Sequence, residues 1–215
     1  MATKNYIFGY GSLMEEESRL RTTPEAETVL PVLVDGYKRG WFGRIGCPGI
    51  STTFLGCVVD KNCSTNGVIY EVNEKEIEIT DVREKGYQRV QVDSNNVTFL
   101  FKNVHSSSKI WIYINNFHIS DLKQNLPCQE FPIVQSYVDI CIDGCLEIEK
   151  KYPAAKEVEF AKKFITTTHY WSHFWVNDRI YPRRPFIYRP NAYDIDFLLQ
   201  ENLADKSLFD KIYFE

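Results

Sequence analysis

The order of the local signals constrains this chain's fold more than anything else: strand-like segments crowd its first half and helix-like segments its last third. Tyr6-Ile7-Phe8 is a short apolar run cut off by Gly9-Tyr10-Gly11-Ser12, a strand delivered into a glycine-rich turn. Val29 to Phe42 is β-branched and aromatic, broken at Asp35-Gly36, and predicts one long bent strand or two. The glycine- and proline-bearing stretch 43–53 predicts a loop. Phe54 to Asp60 and Gly67 to Val72 then predict two strands joined by a polar turn over 61–66. A short helix is expected over Glu74 to Arg83, with Asn73 as its N-cap and Glu74 and Glu76 in the acid-favouring first turn. Strands resume at Tyr87 to Val92, Val97 to Phe101 and Lys109 to Ile114. After Pro132 the pattern predicts helices over Ile133 to Tyr152 and Ala154 to Trp175. An amphipathic segment, Asp194 to Leu203, follows the basic, proline-rich stretch from Asp178 to Pro190. Strands first and helices later make an α+β chain, not a series of βαβ units.

A chain of 215 residues suits one domain with an appendage. The expected division is a domain over 1–152 and a helical, aromatic C-terminal extension over 153–215 packed on it. A net charge of -4 offers no electrostatic reason to expect nucleic acid or an anionic membrane as partner. The N-terminal residues run straight into the first strand without a signal peptide, and no apolar run approaches the roughly 18 residues that span a bilayer. The six cysteines are then expected as reduced thiols in a soluble, cytoplasmic protein.

Two segments carry chemistry. Glycines flanking Tyr10 let the backbone turn sharply and present N–H groups to an anion, although an ordinary glycine-rich turn has the same sequence. In Asp81-Val82-Arg83-Glu84-Lys85-Gly86-Tyr87-Gln88-Arg89-Val90, Glu84 sits where a helix ends and a glycine releases the chain into a strand. Such a carboxylate can be partly buried and tuned for general base work; it can equally be a surface glutamate between Arg83 and Lys85.

These motifs occur in the order seen in the γ-glutamylcyclotransferase-like superfamily, which the chain resembles over roughly residues 5–145. They are Phe8-Gly9-Tyr10-Gly11-Ser12-Leu13, then Gly67-Val68-Ile69-Tyr70-Glu71-Val72, then Asp81-x-x-Glu84-x-x-Tyr87-x-Arg89-Val90. The resemblance implies a small mixed β-barrel flanked by helices. It implies that Tyr10, Gly11, Ser12 and Leu13 bind a γ-glutamyl group, that Glu84 is the acid/base, and that Tyr137 also contacts substrate. It implies an enzyme releasing 5-oxoproline without metal or other cofactor, its partner being the small-molecule γ-glutamyl substrate. Thr80 stands where the family often has Leu, and Leu13-Met14 follow Ser12 where it often has Asn. The second departure leaves the leaving amine open. An alternative keeps the fold as a non-catalytic binding or regulatory module.

Other clusters compete less well. Cys141 with Cys145, and His169 with His173, stand at helical spacing for a metal, but neither pair has an evident third ligand. Ser12 as a hydrolase nucleophile, with His105 or His118 as base, lacks the Gly-x-Ser-x-Gly elbow. Arg179, Arg183 and Arg184 offer either an anion clamp or ion pairs anchoring the tail, and the aromatic run from His169 to Trp175 reads as packing before ligand shelf.

Overall fold

A computed structural model describes residues 3–26, 28–44, 51–117, 119–183 and 191–214. Strand β1 (Asn5–Gly9) is apolar on both faces and lies inside the sheet. It runs antiparallel to β3 (Phe54–Val72) and parallel to β6 (Lys109–Asn115). With β2 (Val29–Gly43), β4 (Tyr87–Val92) and β5 (Val97–Phe99), the order is β4-β6-β1-β3-β2-β5. Alternate residues leave β1 on opposite faces. Ile7 joins the core cluster shared with the helices, and Tyr6 and Phe8 join a second one. Every buried member of that second cluster, among them Val32, Cys57, Ile69, Val92 and Ile112, belongs to a strand. A sheet that covers one face with its own side chains has to curl, and this accounts for the barrel-like shape. The expected barrel is not closed, however: β4 and β5 end the sheet and are not paired with each other.

The predicted turn over 61–66 is instead part of one continuous strand, β3. Asp35 pairs with Ser64 and Tyr37 with Val59, so residues 60–63 stand opposite Gly36 alone. The polar segment forms a bulge, tied to β2 by a bond from Thr65 Oγ1 to the Tyr37 carbonyl (2.9 Å) and by the Lys38–Asp60 ion pair.

Helix α2 (Glu74–Arg83) begins as expected, with Asn73 and Glu76 forming a reciprocal capping box. Helix α3 starts later than predicted, at Gln135–Lys151, because Ile133–Val134 (β7) pair in parallel with β8 (Trp175–Asn177). The predicted helix from Ala154 to Trp175 is two short helices, α4 (Pro153–Glu157) and α5 (Phe160–Thr167), followed by extended chain. Glu159 takes a left-handed conformation (φ 51°) between them. The hydroxyls of Thr166, Thr167 and Thr168 bond back to the carbonyls of Lys162, Lys163 and Phe164, and the next residue leaves the helix to pair with β2. Helix α6 (Ala192–Asn202) matches its expected segment closely, and β9 (Tyr213–Phe214) completes the small parallel sheet. The larger core holds side chains from both sides of residue 152, including Val138, Phe160, Trp175 and Leu199. No helix among the described residues is long and apolar enough to cross a membrane.

Candidate functional site

Beyond β1 the chain makes one 3₁₀ turn, Ser12–Met14, and enters helix α1 (Glu16–Leu20). Met14 N–H bonds to the Gly11 carbonyl (3.0 Å), and Tyr10 Oη donates to the Tyr113 carbonyl (2.8 Å). The Glu15 carboxylate caps α1, accepting from the N–H groups of Glu17 and Ser18 (3.0 and 2.6 Å). Buried Arg19 donates to the carbonyls of Leu13 and Met14 (3.3 and 2.9 Å). From behind, α3 approaches so closely that a Cβ on Gly144 would stand 2.5 Å from Glu15 N and 2.7 Å from Met14 C. So braced, the loop leaves the N–H groups of Gly11, Ser12 and Leu13 without an acceptor among the described residues.

Glu84 ends α2, its N–H bonded to the Thr80 carbonyl (2.8 Å). Two residues on, Gly86 at φ +112° redirects the chain into β4, a conformation that glycine adopts without penalty. The Glu84 side chain is only 19% exposed, and its Oε1 lies 3.3 Å from Arg83 Nε. Arg83 is itself anchored to α1, donating to Ser18 O (3.0 Å) and Thr22 Oγ1 (2.5 Å). Burial raises the pKa of Tyr87, with the nearby Glu84 charge adding to it. Burial likewise holds the Tyr10 phenol well above its ordinary value, and Glu84 contributes there too. Both phenols therefore stay protonated beside the carboxylate. Asp81, the other acid of the motif, accepts from Tyr113 Oη (2.7 Å) and pairs with Arg89 Nε (3.1 Å), tying α2 to β6 and β4.

The loop and the carboxylate face one cavity of about 210 Å³. Tyr10, Gly11, Ser12, Leu13, Glu84 and Tyr137 all line it. Tyr137, in the first turn of α3, packs edge-on against Phe54 (centroids 5.0 Å apart), and its hydroxyl would lie 3.1 Å from a Cβ on Gly11. The remaining wall includes Phe54, Leu55, Arg83, Tyr87 and Tyr113, none of them singled out from the sequence as site residues. Arg83 and Tyr87 fall inside the Asp81–Arg89 motif, and that signal could have found them. Tyr113 could not be found so: it arrives through the pairing of β6 with β4, where it faces Arg89.

The discounted clusters lie elsewhere. Cys141 and Cys145 are fully buried in the core, and no group of three or more potential metal ligands occurs among the described residues. His169 and His173 are not on a helix; the backbone of His169 pairs with β2. His105 is an exposed residue bonded to Ser107 Oγ, not a wall residue of the cavity beside Ser12, and His118 lies outside the described residues. Arg179 forms ion pairs with Asp139 and Asp196 (both 2.8 Å), and Arg183 donates to the Ser51 carbonyl (2.6 Å). Arg184, with the rest of the proline-rich stretch to Pro190, lies outside the described residues. Trp171 stacks on Trp175 (5.0–5.1 Å contacts with Trp41 and Trp175), as packing requires.

No curated protein matches the chain. The fold is similar to a solved structure titled gamma-glutamyl cyclotransferase, at 14% identity and a TM-score of 0.52, over 75% of this chain and 86% of that one. An uncharacterized protein from Homo sapiens is similar to the same degree, at 14% identity and a TM-score of 0.52, over 76% and 87%. At that identity the likeness is one of fold. Residues 7–131 match the family described as gamma-glutamyl cyclotransferase, AIG2-like, a span that takes in the last three residues of β1, its glycine loop, α2 and Glu84. Because that match covers more than half of the sequence, the chain belongs to the gamma-glutamyl cyclotransferase, AIG2-like family.

Proposed function

We propose that this protein cyclises a γ-glutamyl compound, releasing 5-oxoproline and a free amine, with Glu84 as general base and then general acid. The observation that carries this reading is that Glu84 lines a single cavity together with Gly11, Ser12 and Leu13, whose N–H groups have no acceptor among the described residues. In the reaction the α-amine nitrogen of the glutamyl unit bonds to its own γ-carbonyl carbon, and the bond from that carbon to the departing nitrogen breaks. The amine is mostly protonated near neutrality, since α-amino groups have pKa values near about 8, so a base must first free its lone pair. Glu84 takes that proton and returns one to the departing nitrogen.

The loop supplies the complementary part. Unpaired N–H groups on a braced backbone bind the substrate's α-carboxylate without having to reorganise. Holding the glutamyl chain folded for attack makes closure of the five-membered ring effectively unimolecular. Arg83 fixes the orientation of the Glu84 carboxylate, and Tyr137 with Phe54 encloses the acyl portion. A cavity of about 210 Å³ suits the glutamyl part more than an entire conjugate, so the departing amine projects toward the opening.

The test is 5-oxoproline release, followed by mass spectrometry, from γ-glutamyl amino acids, glutathione and γ-glutamyl amines. Turnover of at least one is expected, and Glu84→Gln lowers it by about 100-fold or more with an unchanged circular dichroism spectrum. A folded wild-type protein inert toward the whole panel would leave the binding-module reading in its place.

A further inference from the structure

Arg39, in the middle of β2, is fully buried and has no carboxylate partner among the described residues. Neutral acceptors hold its guanidinium on every side. Nη1 donates to the carbonyls of Asn66 (2.8 Å) and Tyr10 (3.2 Å). Nη2 donates to Asn66 Oδ1 (2.9 Å), the Phe164 carbonyl (3.0 Å) and Thr167 Oγ1 (3.0 Å), and Nε to Thr168 Oγ1 (2.8 Å). The Phe164 ring lies 4.2 Å from the guanidinium carbon. Burial lowers the Arg39 pKa to about 10, which leaves it charged at neutral pH. The thiols of Cys57 and Cys145 and the phenol of Tyr10 lie within its field, and burial keeps all three protonated. A buried cation is ordinarily paired; this one has no carboxylate counter-charge among the described residues.

Its field is delivered to the site by one peptide group. The carbonyl accepting from Arg39 belongs to the Tyr10–Gly11 peptide, which is trans. The Gly11 N–H therefore points to the opposite side of the same planar unit, away from Arg39. Gly11 lines the cavity, and its N–H has no acceptor among the described residues. A peptide whose carbonyl accepts from a cation is a stronger donor at its other end. The cavity needs such a donor: its own cation, Arg83, is engaged with Glu84, and an anion entering beside Glu84 meets a like charge.

We propose that Arg39 is a positioning residue for the substrate's α-carboxylate, acting through the Tyr10–Gly11 peptide to make the Gly11 N–H an anion-binding donor. The proposal rests on the cyclotransferase reading above. Arg39 also touches the end of α5, so the C-terminal helices help to aim the loop.

The probe is 5-oxoproline, which keeps the α-carboxylate whatever the leaving amine, compared with its uncharged isostere 5-oxoprolinamide in NMR-detected binding. The wild type prefers the carboxylate. Arg39→Met lowers that preference by about tenfold or more, as loss of a charge-assisted hydrogen bond does, whereas Arg39→Lys keeps most of it. Because Arg39→Met can unfold the protein, Asn66→Asp supplies the missing counter-charge without removing the guanidinium: Asn66 Oδ1 is already 2.9 Å from Nη2. It too lowers the preference, while Thr168→Val, which loosens the same cluster and leaves the charge, does not. Equal weakening of both ligands in Arg39→Met and Asn66→Asp would reduce Arg39 to a structural role and leave the cyclotransferase reading standing. A wild type that binds neither ligand and releases no 5-oxoproline would overturn both.

Discussion

Tyr10 shows how one residue serves the site with its backbone more than with its side chain. Its carbonyl accepts from Arg39, its peptide contributes to the glycine loop, and its phenol is committed to the Tyr113 carbonyl (2.8 Å). Burial holds that phenol protonated at any working pH, so it cannot be the base. Tyr10→Phe should therefore cost about 1 kcal/mol of stability, the usual worth of one hydrogen bond, with kcat within about threefold of wild type. Urea denaturation and the 5-oxoproline assay check the two halves separately. Glu84 is the opposite case, since the role proposed for it belongs to its side chain. Its place at the C-terminal end of α2, before Gly86, was legible because the Asn73 cap, the Glu74–Arg83 pattern and the glycine are all local signals. Its partner Arg83 was adjacent in the sequence but was not expected as a site residue, because nothing local showed that α1 would anchor it.

At the scale of elements, α3 carries Tyr137 into the cavity and does so without a cap of its own. Its N-cap residue is Val134, which offers no side-chain hydrogen bond. Asp178 does the work from the extension, accepting from Ser136 N–H and Ser136 Oγ (2.7 and 2.6 Å). Asp178→Ala should cost about 1–2 kcal/mol, the upper part of the range for losing a cap, and should raise KM more than it lowers kcat because Tyr137 loses its register. The other end of the same helix is pH-sensitive. Burial, with Glu15 and Glu16 adding to it, raises Glu147 from an ordinary 4.5 to about 7 where it accepts from Glu16 N–H (3.1 Å). The folded protein then holds a proton that the unfolded chain has lost between these values. Stability falls as pH rises through that window, from about 4.5 to about 7, and does not recover above it. Glu147→Gln should flatten this slope and raise the melting temperature near pH 7.5, as thermal denaturation across pH 4.5–8 would show.

For the whole molecule, the connection that matters is between the sheet and the last sixty residues. Arg179 bridges Asp139 of α3 and Asp196 of α6, making bonds of 2.8 Å to both. Asp139 is fully buried and also accepts from Gln135 Nε2 (2.8 Å). Arg179→Ala should therefore destabilise the fold by roughly 3–5 kcal/mol, the cost of removing one partner of a buried pair. Asp139→Asn in the same background recovers part of the loss, and denaturant midpoints measure both. Since α3 bears Tyr137 and α5 touches Arg39, loosening this extension should lower activity before the sheet unfolds.

Local chemistry by itself determined the strand-then-helix order, the capped helix α2, strand β4, the glycine loop and the position of Glu84. Each rests on periodicity, caps or glycines within a few residues of one another. Tertiary structure decided the rest. The polar residues 60–63 became a bulge and not a turn because β2 continues alongside them. The helix predicted through Trp175 ended at Thr167 because Arg39 and the edge of β2 offered its threonines and His169 partners that a helix could not. Tyr113 reached the cavity, and buried Arg39 the glycine loop, through pairings between residues far apart in the chain. Such pairings leave no trace in any short window of sequence, since they depend on which distant surfaces bury one another.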